Sequence, residues 1–456
     1  MPAIKTIFVC QSCGYQSPKW LGRCPECQQW NSLIEDRMPD AVATQQNRGF
    51  LRSGVEAPQK IKDIAQSDYI RTKTNISELD RVLGGGVVLG SVILIGGEPG
   101  IGKSTLLLQI CDVLAKNKKV LYVSGEESKQ QIKLRFDRLG ISCEGLYIAT
   151  ETELSAIIEH IDKLSPETVV IDSIQVLHSS DFSQGTGSVS QIKECAGALT
   201  ALAKYKNFSL FIVGHVTKEG SIAGPKILEH MVDCVIYFEG QSQSNFRILR
   251  SVKNRFGPTN EIGVFHMTGK GLVEVANPSS IFLNSRANSC AGSAVVSTLE
   301  GTRPILVEIQ ALVSHSNFTL GRQRAIGVDL NRLLLLLAVL EKKLGLRLSN
   351  YDVFVSAAGG IEIDEPASDL AICAAVVSSY KNKPVSSNTV FIAEVGLNGE
   401  LRSSAQLQAR VNEASRLGFK RCVLPASDIK QVQHNASMAL LGAENIEEAL
   451  KGVFES

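Results

Sequence analysis

The sequence predicts an α/β protein with a mostly parallel central sheet, preceded by a small tetracysteine zinc ribbon and followed by an α+β domain. Four cysteines in two close pairs indicate the ribbon over residues 1–33. Residues 34–60 are polar and aperiodic, which is typical of a linker. Over 61–275 apolar strands alternate with helices, the pattern of a parallel sheet. The composition changes again at about residue 276, and we assign 276–456 to a separate domain.

Composition and charge agree with a protein of about three domains. The chain has 456 residues, of which 44% are hydrophobic and 20% charged. No targeting signal opens it, and the leucine-rich run at 333–340 is too short to cross a bilayer, so we expect a cytoplasmic protein with no membrane partner. The formal net charge of +1 provides no overall basic field. Any contact with nucleic acid must therefore come from local patches.

The cysteines at the start of the chain have the spacing of a zinc site. Cys10 and Cys13 form one Cys-x-x-Cys pair, and Cys24 and Cys27 form the second. Two such pairs supply four thiolates to one tetrahedral Zn²⁺, which leaves no open position and makes the ion structural. A redox-active Cys-x-x-Cys is the alternative, but it requires a single motif at a helix start within a βαβ unit.

The same module contains both tryptophans of the chain, Trp20 and Trp30. A unit of this size has almost no other core. We therefore expect both indole rings to pack on the cysteine pairs.

A phosphate-binding loop follows an apolar strand near residue 100, where the chain reads SVILIGGEPGIGKST. Its glycines let successive backbone N–H groups point at a polyphosphate, and the helix that begins in LLLQI favours the same anion. We expect Lys103 to reach the β- and γ-phosphates of ATP and to act in catalysis, and Ser104 to hold Mg²⁺. A chance glycine-rich turn is the alternative. The predicted nucleotide-binding residues of the loop are Gly97, Glu98, Pro99, Gly100, Ile101, Gly102, Lys103, Ser104 and Thr105.

Acidic residues follow two further strands, at the edge of the sheet where ligands bind in open α/β folds. Asp172, after the apolar run VVI, has the position of a carboxylate that binds Mg²⁺ through water and Ser104. A helix N-cap is the alternative for Asp172. Glu126 or Glu127 would polarise the attacking water, and we favour Glu126, although either glutamate could simply begin the next helix. His215 follows the next strand as a candidate sensor of nucleotide state or, alternatively, a core histidine.

The order of these motifs resembles the RecA-type ATPase core. With the cysteine pairs, the segment HVTKEG at 215–220 and KNRFG at 253–257, the chain is similar over almost its whole length to the bacterial RadA (Sms) family. The resemblance is the reason for preferring Glu126 over Glu127, because it implies that Glu126 is the catalytic carboxylate. It implies a DNA-dependent ATPase of recombination and repair that processes branched intermediates as a hexameric ring related to replicative helicases. Single-stranded and branched DNA and the recombinase RecA are the partners that it implies.

Basic and flexible segments are the candidates for contacts beyond the nucleotide. We predict that Lys253 and Arg255 reach the γ-phosphate bound by a neighbouring subunit, although a charged edge strand has a similar composition. The loops at 179–191 and 217–226 are polar, and we expect them to line a pore and to contact DNA, the alternative being ordinary surface connections.

The last domain resembles the proteolytic domain of Lon, which uses a Ser–Lys dyad. Here Ala367 takes the position of the nucleophile, with Ser368 one place later, and Gln408 takes the position of the lysine. Glutamine cannot serve as the base that a hydroxyl nucleophile needs. We therefore expect a peptidase-like fold without peptidase chemistry.

Three arginines of this domain, Arg322, Arg324 and Arg332, have only Asp329 nearby in sequence to oppose them. Such a cluster could bind phosphates along a nucleic-acid backbone, or it could be solvated surface charge.

Two functions remain as alternatives to a DNA motor. One is an ATP-dependent protease or protein remodeller, and the other is a binding protein that hydrolyses ATP slowly as a timer.

Overall fold

The computed structural model describes residues 6–10, 15–26, 28–37, 60, 70–180, 187–215, 228–240, 245–259, 261–275, 277–283, 290–316, 321–433 and 438–454. The chain divides into two compact units, Met1–Val275 and Ala276–Ser456. Among the helices so described, none combines the length and the hydropathy needed to span a membrane.

The first unit begins with a three-stranded antiparallel sheet in the order β2-β1-β3. Its strands are β1 (Thr6–Cys10), β2 (Gln16–Ser17) and β3 (Leu33–Arg37). Cys10, Cys24 and Leu33 are buried together at its centre. The expected packing of the tryptophans is wrong, because Trp20 is 54% and Trp30 is 70% exposed. Smaller side chains close the core instead, namely those of Phe8, Tyr15 and Leu21.

The remainder of the first unit is built on a nine-stranded sheet in the order β14-β13-β12-β11-β6-β10-β9-β7-β8. Strands β11, β6, β10, β9, β7 and β8 run parallel, which confirms the predicted mostly parallel sheet, and β12 to β14 add an antiparallel extension. A separate pair, β4 and β5, is antiparallel. The strands are β4 (Arg71–Thr72), β5 (Val87–Val88), β6 (Val92–Gly97), β7 (Val120–Ser124), β8 (Leu146–Ala149), β9 (Thr168–Asp172), β10 (Ser209–His215), β11 (Cys234–Glu239), β12 (Phe246–Asn254), β13 (Ile262–Thr268) and β14 (Gly271–Glu274).

Helices cover both faces of this sheet, and therefore its central strands are apolar on both sides. Ile93 and Ile95 of β6 join the apolar cluster formed with α1 to α3, whereas Val92 and Leu94 join the cluster formed with α4 and α5. The helices are α1 (Ser77–Val82), α2 (Lys103–Leu114), α3 (Lys129–Arg138), α4 (Leu154–Leu164) and α5 (Val189–Lys206). Because helices pack on both faces of the sheet, polar residues that bind a ligand can lie at the carboxyl ends of the strands.

The second unit contains a mixed seven-stranded sheet in the order β17-β18-β16-β15-β19-β22-β23, and a short pair, β20 and β21. The strands are β15 (Ser293–Glu300), β16 (Arg303–His315), β17 (Gln323–Ile326), β18 (Tyr351–Ala357), β19 (Thr389–Phe391), β20 (Glu394–Val395), β21 (Leu401–Arg402), β22 (Arg421–Pro425) and β23 (Ala439–Ala443). The helices are α6 (Pro278–Leu283), α7 (Leu330–Leu344), α8 (Asp369–Lys381), α9 (Leu407–Arg416) and α10 (Ile446–Phe454). Helix α8 is buried from its first residue to Ser378.

Candidate nucleotide-binding site

The loop between β6 and α2 has the backbone that a phosphate-binding loop requires. Gly97 and Gly102 have φ angles of +153° and +120°. Residues with a Cβ atom rarely adopt such angles, whereas glycine does so readily. A Cβ atom at Gly102 would lie 2.6 Å from Met267 Cε, and one at Gly97 would lie 2.8 Å from the Phe238 carbonyl oxygen. Gly97 is therefore required by conformation and by space, whereas Gly102 is required by its conformation, because the Met267 side chain could move away.

The residues between these glycines form the rim of the loop. Pro99 and Gly100 are exposed and Glu98 is half-buried, whereas Ile101 packs into the apolar cluster around α2. Helix α2 begins without a side-chain cap on its N-terminal amides. These amides are thus available to an anion.

Lys103 is buried at the start of α2. Its Nζ donates hydrogen bonds of 2.8 Å to the carbonyl oxygens of Gly97 and Glu98. Burial lowers the pKa of Lys103 to about 8, although the nearby carboxylates of Asp172, Glu126 and Glu98 act in the opposite direction. The two loop carbonyls thus occupy the hydrogen-bonding positions around the ammonium group. Phosphate oxygens would take these positions when a nucleotide binds.

Asp172 ends β9 directly beside Ser124, its partner in β7. The hydroxyl of Tyr122 donates a hydrogen bond of 2.5 Å to Asp172 Oδ2. Burial raises the pKa of Tyr122 well above its ordinary value, and the negative charge of Asp172 adds to this effect. Tyr122 is therefore a neutral donor to the carboxylate at neutral pH. Sequence reasoning missed this residue, since nothing in the run VLYVS marks its tyrosine as more than core.

Glu126 follows β7, and its Oε1 has two partners. The Ser173 hydroxyl donates to it, and Nε2 of His215 lies 3.1 Å away. Burial disfavours the ionised form of Glu126, but the hydrogen bonds from Ser173 and His215, together with the charges of His215 and Lys103, outweigh burial and lower its pKa below the ordinary value. The structure thus brings His215 to Glu126.

Glu127 has a different environment from Glu126. Its two carboxylate oxygens accept hydrogen bonds of 2.8 and 2.6 Å from Arg135 on α3. Its backbone N–H also donates to the Ser124 hydroxyl. Glu127 is held in an ion pair, whereas Glu126 lies near Lys103.

The oxygen donors at this edge fit a magnesium–nucleotide complex. Mg²⁺ is commonly held by one or two carboxylates, with phosphates and water completing its octahedron. Ser104 and Thr105 are half-buried at the start of α2, and the charge of Asp172 acts on the neighbouring Lys103. Across the described ranges, no group of three or more His, Cys, Asp or Glu side chains could enclose a metal by itself. Asp172 with the Ser104 hydroxyl is therefore the donor set expected for a metal that arrives with a nucleotide.

Half of the predicted zinc ligands can be located. Cys10 and Cys24 are both fully buried in the small core of the ribbon. The Cys10 thiol donates a hydrogen bond of 3.2 Å to the Ser32 hydroxyl. Cys13 and Cys27 lie outside the described residues. Two buried thiols in so small a core fit a thiolate-bound ion.

The register of β11 and β12 places Lys253 and Arg255 away from the phosphate-binding loop of their own chain. Lys253 pairs with Val235 of β11, while Phe238 of β11 pairs with Gly97. These two positions on β11 are about 10 Å apart along the strand. The structure therefore does not bring Lys253 or Arg255 to Lys103 within one chain.

Both cations are held by groups at the amino-terminal end of β11. The Lys253 ammonium donates a hydrogen bond of 2.6 Å to the Glu229 carbonyl oxygen. Arg255 is paired with the buried carboxylate of Asp233 at 3.1 Å, and Lys204 lies at the same distance from the same oxygen. The Arg255 side chain is nevertheless 53% exposed.

Arg247, at the other end of β12, contacts the phosphate-binding loop. Its Nε donates a hydrogen bond of 3.1 Å to the Ile101 carbonyl oxygen. The sequence shows Arg247 only as one of several basic residues near KNRFG. Its contact depends on β12 running antiparallel to β11, and the spacing of motifs does not reveal strand order.

One of the two predicted DNA-contacting loops, at 179–191, is described at its ends. Gln191 is buried in α5 and exchanges hydrogen bonds of 3.0 and 3.3 Å with the backbone of Ser179. The expectation that the whole of 179–191 is too polar to be core is therefore wrong at its ends, because the Gln191 amide satisfies buried backbone groups. Residues 181–186 and the loop at 217–226 lie outside the described residues.

Two of the arginines of the second unit that have only Asp329 nearby in sequence are paired with other carboxylates. Arg322 pairs with Asp352, and its hydrogen bonds lower the pKa of that carboxyl group to about 2. Arg332 pairs with the buried Asp369. These carboxylates are distant in sequence and become neighbours only through folding. Arg324 is exposed on β17.

The residues at the expected peptidase positions have structural contacts. Ala367 is buried, and the buried Ser368 hydroxyl donates a hydrogen bond of 2.9 Å to the Glu365 carbonyl oxygen. Gln408 is half-buried, and its amide donates to the Gln433 carbonyl oxygen. The Ser368 hydroxyl is thus engaged and screened from solvent.

The chain matches three family models. They are described as "Rubredoxin metal binding domain" over residues 8–35, "AAA domain" over 56–221 and "Subunit ChlI of Mg-chelatase" over 342–428. A KaiC-like protein from Pyrococcus horikoshii OT3 is among the similar solved structures, with a TM-score of 0.39 and 19% identity, covering 45% of this chain and 99% of its own. The three family models, taken in chain order, confirm the predicted zinc ribbon, P-loop ATPase domain and Lon-like domain.

Curated relatives match the chain over nearly its full length. A protein of Listeria monocytogenes named "DNA repair protein RadA" is 52% identical over 450 residues, covering 98% of this chain and 97% of the relative. A protein of Bacillus subtilis with the same name is 51% identical over 454 residues, covering 99% of both. Identity at this level over both chains shows that this protein belongs to the RadA family of DNA repair proteins.

Proposed function

We propose that this protein is a DNA-dependent ATPase of homologous recombination and repair, which processes branched intermediates as a hexameric ring motor in branch migration or helicase-like unwinding. Its partners would be single-stranded and branched DNA and the RecA recombinase, in the cytoplasm, where reducing conditions leave thiolates free for zinc. One observation carries the proposal. Lys103, Asp172 and Glu126 gather at one edge of the sheet, while Lys253 and Arg255 lie toward the other.

The first group of residues has the chemistry to bind and hydrolyse ATP. Phosphate oxygens would replace the two carbonyls that Lys103 now contacts, and the loop amides would hold the rest of the polyphosphate. Asp172 and Ser104 are the residues that would hold Mg²⁺, which would offset the negative charge of the phosphates. Glu126 has a lowered pKa and stays ionised at neutral pH, so it can orient a water for attack on the γ-phosphate.

The second group supports action across a subunit interface. A cation that stabilises transition-state charge must reach the γ-phosphate. Since Lys253 and Arg255 lie toward the end of the sheet away from their own phosphate loop, they can serve this role only for the nucleotide of a neighbouring copy. A closed ring is the arrangement in which every copy receives and supplies such cations.

The contacts of the second unit support a role other than proteolysis. Ser368 is buried with its hydroxyl already bonded, and Gln408 cannot act as a base. The exposed Arg324, together with the loops at 179–191 and 217–226, would contact DNA phosphates, which gives affinity without sequence specificity. Zn²⁺ on Cys10, Cys13, Cys24 and Cys27 would stabilise the small ribbon.

Turnover of ATP with different ligands tests the proposal. The full-length protein with Zn²⁺ and Mg²⁺ is assayed alone, with a single-stranded oligonucleotide, and with casein, beside Lys103→Ala. We expect stimulation by DNA and none in Lys103→Ala. Stimulation or cleavage of casein would instead support the remodeller or protease, and slow turnover indifferent to both ligands would support the nucleotide-timed binding protein.

A further inference from the structure

Tyr122 is a polar residue in an otherwise apolar position. It lies in the middle of β7 and is buried. Its ring belongs to the apolar cluster formed with α2, and phenylalanine would fill the same space. A buried phenol requires a hydrogen-bond partner. The partner is Asp172 Oδ2, at 2.5 Å.

The placement of this hydroxyl determines how Asp172 can move. Tyr122 is on β7 and Asp172 ends the adjacent parallel strand β9. Because the tyrosine ring is fixed by packing, its oxygen is a rigid anchor for one oxygen of the carboxylate. With Oδ2 fixed in this way, rotation of the carboxylate is restricted and the orientation of Oδ1 is set.

We propose that Tyr122 is a positioning residue for magnesium, which fixes Asp172 so that Oδ1 is presented to the cation of the bound nucleotide. The inference rests on the proposed function of the site as a Mg²⁺-dependent ATPase. Carboxylates that bind metals are generally oriented by such outer hydrogen bonds, and loss of one typically lowers metal affinity by about 10- to 100-fold. Tyr122 would thereby set the Mg²⁺ concentration that the site requires.

Removal of a single oxygen atom tests the proposal. Tyr122→Phe retains the ring, and Tyr147→Phe is a matched control because Tyr147 lies on the adjacent strand β8 and is 44% exposed. Binding of a fluorescent ADP analogue is measured during a titration with MgCl₂ and again in EDTA, and Mn²⁺ binding in the presence of ADP is followed by electron paramagnetic resonance. We expect Tyr122→Phe to raise the half-saturating concentration of both metals about tenfold. Tyr147→Phe should match the wild type, and affinity in EDTA should be unchanged in both.

A double-mutant cycle establishes whether Tyr122 acts through Asp172. The metal effect of Tyr122→Phe should vanish in an Asp172→Asn background, because the group that the hydroxyl orients has been replaced. Should Tyr122→Phe fold poorly by thermal melting, Tyr122→Met provides a second hydroxyl-free side chain for the same measurements.

Three results would overturn the proposal: an unchanged metal requirement, an equal loss of nucleotide affinity in EDTA, or an effect that persists in full without the Asp172 carboxylate. The proposed function has a separate mode of failure. A wild-type protein that binds nucleotide with Mg²⁺ but is indifferent to DNA would contradict the motor and leave the role of Tyr122 intact. A wild-type protein whose nucleotide binding is independent of Mg²⁺ would contradict the role of Tyr122.

Discussion

His215 and Glu126 are joined by a contact of 3.1 Å between Nε2 and Oε1. His215 is the last residue of β10, and Glu126 follows β7, with β9 between these two strands in the sheet. A carboxylate only accepts hydrogen bonds, so Nε2 carries the proton. A movement of Glu126 toward a nucleotide would break this contact, and a movement of the chain after His215 would disturb Glu126.

We expect His215→Ala to reduce DNA-stimulated ATP turnover more than basal turnover, because the link between the carboxylate and the chain after β10 is lost. The measurement is the ratio of the two rates at saturating ATP. His230→Ala is a suitable control, since His230 is exposed. An unchanged ratio in His215→Ala would show that this contact carries no signal.

Ser173→Ala should alter the pH dependence of turnover. Burial tends to raise the pKa of Glu126, and the hydrogen bond from Ser173 is the largest opposing effect. Without that donor the pKa of Glu126 rises, so the carboxylate becomes protonated at higher pH as the solution is acidified. We expect the acid limb of the kcat profile to move to higher pH with little change in KM. A limb that stays in place would exclude Ser173 as the group that keeps Glu126 ionised.

Nucleotide binding should take up a proton above pH 8. The pKa of Lys103 is about 8 in the free protein, because burial outweighs the nearby carboxylates. Phosphate favours the ammonium form, so binding raises this pKa, and affinity should fall as pH increases from 8 toward 10. Calorimetry at pH 8.5 in buffers of different ionisation enthalpy measures the proton directly. Lys103→Ala, examined at higher nucleotide concentration, should show no such uptake, and equal uptake in both proteins would assign the proton to another group.

Arg255→Ala should bind nucleotide normally and lose turnover by at least about a hundredfold, since cations supplied across an interface contribute 10³ to 10⁵ in rate in related chemistry. Arg138→Ala is a matched control on the exposed surface of α3. The specific test is to mix Arg255→Ala with Lys103→Ala. An interface between the two then has an intact Lys103 on one side and an intact Arg255 on the other, and part of the activity should return. Mixtures that remain inactive would argue against action between subunits.

Motif spacing predicts the phosphate loop because the glycines, Lys103 and Ser104 are adjacent in sequence. Glu126 and Asp172 could also be located, since parallel strands place their carboxyl ends at one edge. Tyr122 and Ser173 could not, because their role depends on which oxygen a hydroxyl reaches after packing.

Contacts that form only after packing also explain where the sequence predictions fail in the zinc ribbon and the second unit. The size of the module predicts that its largest side chains form the core, yet Trp20 and Trp30 are exposed. The sequence places only Asp329 near these arginines, whereas Arg322 and Arg332 pair with Asp352 and Asp369, which lie 30 and 37 residues away. Long-range partners of this kind are determined by tertiary structure and leave no local pattern.

Arg410 should be among the most important residues for the stability of the second unit. Its side chain is fully buried, donates to the Ser297 carbonyl oxygen, and forms hydrogen bonds of 2.7 and 2.5 Å with the two carboxylate oxygens of Glu365. Arg410→Ala would leave Glu365 without this partner, and removing one member of a buried pair costs about 3 to 5 kcal/mol of unfolding free energy. Arg416→Ala breaks a pair between an exposed arginine and Glu413, which keeps its hydrogen bond from Ser279, and should cost less than about 1 kcal/mol. Urea unfolding of the full chain compares the two variants. Equal midpoints would show that the buried Arg410–Glu365 pair contributes no more to the free energy of unfolding than the Arg416–Glu413 pair.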